Sequence, residues 1–215
     1  MRRLFIALAA TLTLLGGCTD TGGKHARAVY VLLDVSGSYN DNLDQANPVI
    51  NYLLGTLVSG DSLIVGKIDS GSFTEKDVVG RVTFDDRPSV ANEQKRAFRA
   101  RLDEFFKDRH PSARTDVSGA LLQAAQTLDE TNAGHRYIMV FSDLEEDLPK
   151  GYVRKSRLPF EGAEVVAVDV AKLRTDNINP QNYVDRLEHW KRVVADNGGR
   201  WQVVNDPDHL DTLLN

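Results

Sequence analysis

The chain has 215 residues, 41% of them hydrophobic and 27% charged, with a formal net charge of −5. This is the composition of a globular chain with a core, long enough for one ordinary domain or two small ones; it excludes a disordered acidic tail and a collagen-like scaffold. The acidic balance argues against a nucleic-acid partner, and a single cysteine excludes both an intramolecular disulfide and a thiolate metal cluster.

The chain opens with Arg2 and Arg3, followed by an uncharged, mostly apolar run from Leu4 to Leu15. A helix of that length spans about 18 Å, short of the roughly 30 Å hydrocarbon core, so the run reads as the centre of an export signal over residues 1–17. It ends in Leu15-Gly16-Gly17-Cys18, which resembles the lipobox of bacterial lipoproteins. The resemblance implies cleavage before Cys18, lipidation of its thiol and a protein anchored in the cell envelope facing the periplasm, with the choice of inner or outer membrane left open. Loss of the two arginines makes the remaining chain more acidic still, so lipid rather than charge would hold it at an anionic surface. Residues 18–26 read as the lipidated cysteine and a short polar tether.

One domain is expected over residues 27–215. Ala28–Leu33 is a continuous apolar run, the pattern of a strand buried on both faces, and it ends at Asp34. Asp44 to Leu57 has helical spacing with Pro48 early, where a helix start tolerates it. Ser62–Ile68 and Asp77–Phe84 read as an antiparallel pair of strands. Ser89 to Asp108 is a charged amphipathic helix with Phe98, Leu102, Phe105 and Phe106 on its buried stripe. A helix over Asp116–Leu128, a strand over Arg136–Ser142 ending at Asp143 and a strand over Ala163–Val170 follow. Next come a helix over Pro180–Asn197 closed by Gly198-Gly199, a strand over Trp201–Val204 and a short terminal helix over Asp208–Leu214. This alternation predicts an α/β fold: a doubly wound, mostly parallel six-stranded sheet with one antiparallel edge strand and helices on both faces. Ligands bind such sheets at the carboxyl ends of the strands, where Asp34 and Asp143 both fall.

Asp34-Val35-Ser36-Gly37-Ser38 places one carboxylate and two hydroxyls at alternate positions of a tight loop after the first strand. These are hard oxygen donors, suited to Mg²⁺, Ca²⁺ or Mn²⁺. The motif resembles the first motif of the von Willebrand factor A domain, whose metal-ion-dependent adhesion site holds a divalent cation. Thr115, with Ala120-Leu121 five and six residues on, is similar to that family's second motif, and Asp143 after its strand is similar to the third. The resemblance runs from residue 28 to 214 in element order. It implies a Rossmann-like von Willebrand A fold in which Ser36, Ser38 and Thr115 bind the ion directly and Asp34 and Asp143 bind it directly or through water. It also implies a cation, Mg²⁺ foremost, with a position open to a carboxylate of another protein, and hence a non-enzymatic, metal-bridged protein–protein contact.

The chain departs from the family after Asp143, where the family often has glycine and this chain has Leu144-Glu145-Glu146-Asp147. This segment reads as a solvated acidic loop; the sharper alternative sets Glu145 and Glu146 beside the ion as partner contacts. Tyr39 is read either as a partner contact or as packing at a helix start. Trp190 and Trp201 read as core or half-buried packing, and the five histidines as surface residues. Two rival functions are a metal-independent assembly module of an envelope complex and a Mg²⁺-dependent phosphotransferase or phosphatase using Asp34 as nucleophile. The second lacks the adjacent carboxylate such sites usually carry. A phosphate-binding loop around Gly60–Lys67 is rejected: five residues separate Gly60 from Gly66 where the motif needs four, and Ile68 stands where Ser or Thr should.

Overall fold

A computed structural model describes residues 25–152, 154, 156–205 and 214. The signal segment, Cys18, most of the tether and all of the terminal helix except Leu214 lie outside the described residues. Among the described residues no helix is long and apolar enough to cross a membrane.

Six strands form one sheet: β1 (Arg27–Asp34), β2 (Ser62–Ile68), β3 (Val78–Thr83), β4 (His135–Phe141), β5 (Ala163–Val168) and β6 (Arg200–Val204). Their spatial order is β3-β2-β1-β4-β5-β6. Every pairing is parallel except β2 with β3, so the one antiparallel strand is an edge strand, as the sequence predicts. Among the described residues four α-helices accompany the sheet: α1 (Ala46–Thr56), α2 (Pro88–Lys107), α3 (Val117–Glu130) and α4 (Gln181–Asp196).

β1 shows why a parallel strand reads as an unbroken apolar run. Val29, Val31 and Leu33 point to one face and pack with α1 and α2 through Ile50, Leu53, Phe98 and Leu102. Ala28, Tyr30 and Leu32 point to the other and pack with α3 and α4 through Leu121, Ala125, Trp190 and Val194. The two cores sandwich the sheet, which is the doubly wound arrangement.

Local chemistry sets the element ends. A 3-10 turn over Asn40–Gln45 leads straight into α1, whose third residue is Pro48, in the first turn where a missing N–H costs nothing. Gly198, at φ +81°, ends α4 in the left-handed conformation, and its N–H returns to the Ala195 carbonyl. Gly66 in β2 leaves room for the Tyr30 ring to cross it; a Cβ there would sit 2.5 Å from the phenol oxygen. Gly66-Lys67 therefore lies inside a strand and under a tyrosine, not in a phosphate-binding turn. On α2, Phe98 and Leu102 are buried as expected, whereas Phe105 and Phe106 are half-buried near its C-terminus, pairing edge to face at 5.5 Å.

The strand order reverses between β1 and β4, so the crevice at the topological switch point lies at their carboxyl ends. Asp34 is the last residue of β1, and Asp143 stands two residues beyond the end of β4.

Candidate metal centre at the sheet edge

The loop after β1 is stitched to its neighbours through the backbone. The Val35 N–H donates to the Ile68 carbonyl (3.2 Å), and the Ser112 N–H donates to the Val35 carbonyl (2.8 Å). Ser36 and Ser112 form an isolated parallel bridge, which brings the loop before α3 against the Asp34–Ser38 loop. The loop tightens further where the Ser36 carbonyl accepts from the N–H groups of Tyr39 (3.2 Å) and Asn40 (2.9 Å).

The two serine hydroxyls meet, Ser36 Oγ lying 3.1 Å from Ser38 Oγ; Ser36 is buried and Ser38 exposed. Asp34 is fully buried. Its Oδ1 accepts the Ser36 N–H (2.8 Å), and its Oδ2 accepts the Ser142 hydroxyl (2.5 Å) across the β1–β4 boundary. Burial pushes its carboxyl up to about 6 and the charge of Asp143 adds to this, while hydrogen bonds from Ser142 and Ser36 oppose it.

Asp143 is also fully buried. Its Oδ1 accepts the Glu145 N–H (2.9 Å), but its Oδ2 has no hydrogen-bond partner. A buried carboxylate oxygen left unpaired is costly unless something outside the chain satisfies it. Thr115 is buried one residue before the Asp116 N-cap of α3. It is fixed from both sides: its carbonyl accepts the Asp147 N–H (2.9 Å), and the Asp116 N–H donates to the Asp69 carbonyl (3.0 Å). The five residues expected to hold a cation thus lie at one edge of the sheet, Asp34 at the end of β1 and the other four on loops. The structure brings Asp34, Ser36, Ser38 and Asp143 into one neighbourhood, and the Ser36–Ser112 bridge lays the loop that carries Thr115 alongside it. Among the described residues no three His, Cys, Asp or Glu side chains gather to hold a metal. A cation at this edge therefore has to draw on hydroxyls as well as the two carboxylates, an oxygen-only set of the kind hard divalent ions take.

Three supporting groups were not singled out by the sequence. Ser142 links Asp34 to the following turn, accepting the Leu144 N–H (2.8 Å). Arg154 holds both carboxylate oxygens of Asp116 (2.8 and 2.6 Å) and so ties the start of α3, next to Thr115, to the loop after β4. Arg186 on α4 donates to the Asp143 carbonyl (2.9 Å) and pairs with buried Asp176 (3.1 and 2.8 Å). The Ser-Asp dipeptide at 142–143 was a visible signal; the two arginines carried none, because each sits in an ordinary polar pattern and no residue spacing marks the group it holds.

The hydrogen bonds from Arg186 hold the Asp176 carboxyl below its ordinary value, with help from the Leu173 N–H and the charges of Arg186 and Lys172. A depressed folded-state pKa gives stability that is present above the unfolded value and is lost as pH falls through the folded one. Asp176→Asn is therefore expected to cost about 3 kcal/mol at neutral pH by stranding Arg186. In urea titrations the gap to the unsubstituted protein should close below about pH 4. A gap unchanged down to acid pH would contradict this account.

Two expectations are corrected. Tyr39 is fully buried, its hydroxyl 3.4 Å from the Asp169 carbonyl, so it packs at the start of the 3-10 turn and offers no surface to a partner. The acidic segment after Asp143 is not simply solvated. Glu146 accepts the Ser118 N–H (2.7 Å) at the first turn of α3, whereas Glu145 and Asp147 both stand exposed, Glu145 3.6 Å from Arg186 and Asp147 paired with Arg114 (3.1 Å). Leu144 stands where the resemblance implies glycine. It adopts φ +62°, the left-handed region glycine favours, yet it is buried in the core, and its carbonyl accepts the Trp190 indole N–H (3.0 Å). Trp190 is buried and Trp201 half-buried, and His25, His110, His135 and His189 are exposed, as read from the sequence. His209 lies outside the described residues.

No family model and no curated protein matches the chain. Among solved structures it is similar to an aerotolerance-related membrane protein from Bacteroides fragilis, at 14% identity over 88% of this chain and 96% of that one, TM-score 0.49. It is also similar to the conserved hypothetical protein BatB from Bacteroides thetaiotaomicron, at 15% identity over 88% and 95%, TM-score 0.44. A third similarity is to proximal thread matrix protein 1 of the mussel byssus, at 13% identity, TM-score 0.45; it covers 89% of this chain and 46% of that one. At these scores the topology rests on this chain's own strand order.

Proposed function

We propose that this chain is a von Willebrand A-type interaction module, anchored in the bacterial envelope through Cys18, that binds another protein by a divalent-cation-dependent contact. The observation carrying this reading is the unpaired, buried Asp143 Oδ2 at the switch point, beside buried Asp34 and the Ser36–Ser38 hydroxyl pair. Two buried carboxylates at one crevice repel each other, and a 2+ ion would offset both charges. Asp34, Ser36, Ser38, Thr115 and Asp143 would hold it, Mg²⁺ foremost and Mn²⁺ or Ca²⁺ also by donor chemistry. A cation so held attracts an incoming carboxylate. The chain's own residues fix the geometry: Ser142 orients Asp34, Arg186 orients Asp143, and Arg154 with Asp116 anchors the helix beside Thr115. The reading is non-enzymatic, since the neighbours of Asp34 are serines and no second carboxylate adjoins it in sequence.

The test has two arms. Asp34→Ala combined with Ser36→Ala is expected to abolish Mg²⁺ binding in calorimetry while the circular dichroism spectrum is retained. In pull-downs from detergent-solubilised membranes, partners are expected to be retained with Mg²⁺ and lost with EDTA. Unchanged cation affinity in the double variant would refute the site, and partners insensitive to EDTA would favour a metal-independent assembly module.

A further inference from the structure

The sheet has two unlike ends. β1, β2, β4, β5 and β6 all run the same way, so all five start at one end and finish at the crevice. β1 covers about 23 Å from its first residue to its last. Arg27 opens β1 and so lies at the end remote from the five proposed oxygen donors. Cys18 stands nine residues before it. Covalent geometry alone limits that stretch to about 32 Å, whatever its conformation. A lipid on Cys18 thus holds the amino end of the sheet close to the bilayer, whereas the crevice reaches lipid only if the stretch doubles back along the whole length of β1.

The surfaces at the two ends differ in the same sense. Among the described residues five large apolar side chains stand exposed. Four are at the crevice end: Phe73 in the loop after β2, Tyr152 across a groove from it, Ile178 in the loop after β5 and Val184 in the first turn of α4. Ile178, at 87%, is the most exposed of them. The fifth, Val58, lies just ahead of β2 at the amino end. Exposed apolar surface gathers where another molecule is met. The amino end has little to draw it flat onto lipid. Arg27, Arg136 and Arg200 at the strand starts each face a carboxylate, Asp61 (2.7 Å), Asp129 (2.8 Å) and Glu164 (2.9 Å), and so contribute little attraction to anionic headgroups.

We infer that the domain stands with its amino end toward the bilayer and presents the crevice outward, so that the carboxylate it meets arrives on a protein domain in the aqueous compartment. This rests on the lipid-anchor reading of Cys18 and names where the partner of the crevice stands.

Cys18 is the chain's single cysteine, and lipidation blocks its thiol, so a second cysteine can be labelled alone. A donor dye is placed at Val58→Cys or at Ile178→Cys in the full, lipidated chain. Each variant is inserted into vesicles of phosphatidylethanolamine and phosphatidylglycerol that carry an acceptor dye on the headgroup. Energy transfer from Val58→Cys is expected to exceed that from Ile178→Cys by about threefold, given a separation set by the length of β1, and to keep that ranking with Mg²⁺ and with EDTA. Equal transfer from the two, or more from Ile178→Cys, would overturn the inference and lay the apolar residues of the crevice end against lipid. A rise at Ile178→Cys to the level of Val58→Cys on adding Mg²⁺ would overturn it as well, assigning the cation to lipid phosphate. Protein that parts from the vesicles on flotation would sink the anchor reading and the orientation with it. A chain that keeps the ranking but binds no Mg²⁺ in calorimetry would uphold the orientation and sink the cation reading instead.

Discussion

Gly119→Ala should cost the protein about 3 kcal/mol, although alanine in a helix interior usually gains about 1 kcal/mol over glycine. The reversal comes from what surrounds this glycine at the start of α3. A Cβ there would fall deep inside van der Waals contact with an Asp116 carboxylate oxygen and the Ser72 carbonyl, and 2.6 Å from the Arg154 guanidinium. None of these is the free end of a flexible chain. Asp116 caps the helix through the Gly119 N–H (2.7 Å) and is held by Arg154, and the carbonyl is backbone. The methyl must either expel Arg154, breaking a buried ion pair, or push the helix start away from the loop after β2. Urea denaturation measures the loss, and Thr115 lies just before the displaced turn, so Mg²⁺ affinity should fall as well. A neutral or stabilising effect would mean that α3 is not seated as described.

Asp143→Asn should change the sign of its effect with the cation present. In EDTA the variant is expected to be as stable as the unsubstituted protein or about 1 kcal/mol more so, because a buried carboxylate with an unpaired oxygen has been neutralised while an oxygen remains to accept the Glu145 N–H. In saturating Mg²⁺ the unsubstituted protein should gain about 2.7 kcal/mol when the ion stands at a hundred times its dissociation constant, and the variant far less. The ranking of the two proteins therefore inverts between conditions. Thermal melts of both, with Mg²⁺ and with EDTA, read it directly; the same ranking in both would show that Asp143 has a purely structural role.

The fold was legible because its signals are local and redundant. β1 and β4 announce themselves as apolar runs ended by an aspartate, and Gly198 closes α4 where the periodicity stops. The five proposed oxygen donors could be picked out because four of them stand at or just beyond the end of an apolar strand and Thr115 stands just before a helix start. What supports them was not. The value of Arg186 depends on Asp176, ten residues away across a 3-10 turn and a helix start, and on a backbone carbonyl, which no residue pattern encodes. Tyr39 misled for the same reason: its place beside the loop was evident, but its burial depends on Asp169 and on a core assembled from distant strands. Leu144 was visible as a departure from the glycine that the resemblance implies; its left-handed backbone and its burial in the core were not.

The fixed register of β1 against β4, with Leu33 opposite Phe141, makes these two strands a ruler for the crevice at their ends. Side chains alternate with a period of two, so deleting one residue within Ile138–Phe141 would swing Asp143 to the other face and strand Ser142 away from Asp34. Lengthening the outer loops would only redraw the rim. Descendants of this sequence are thus free to vary the reach and grip of the crevice through insertions at Gly71 or Gly151, while the spacing that sets its centre admits no change in length.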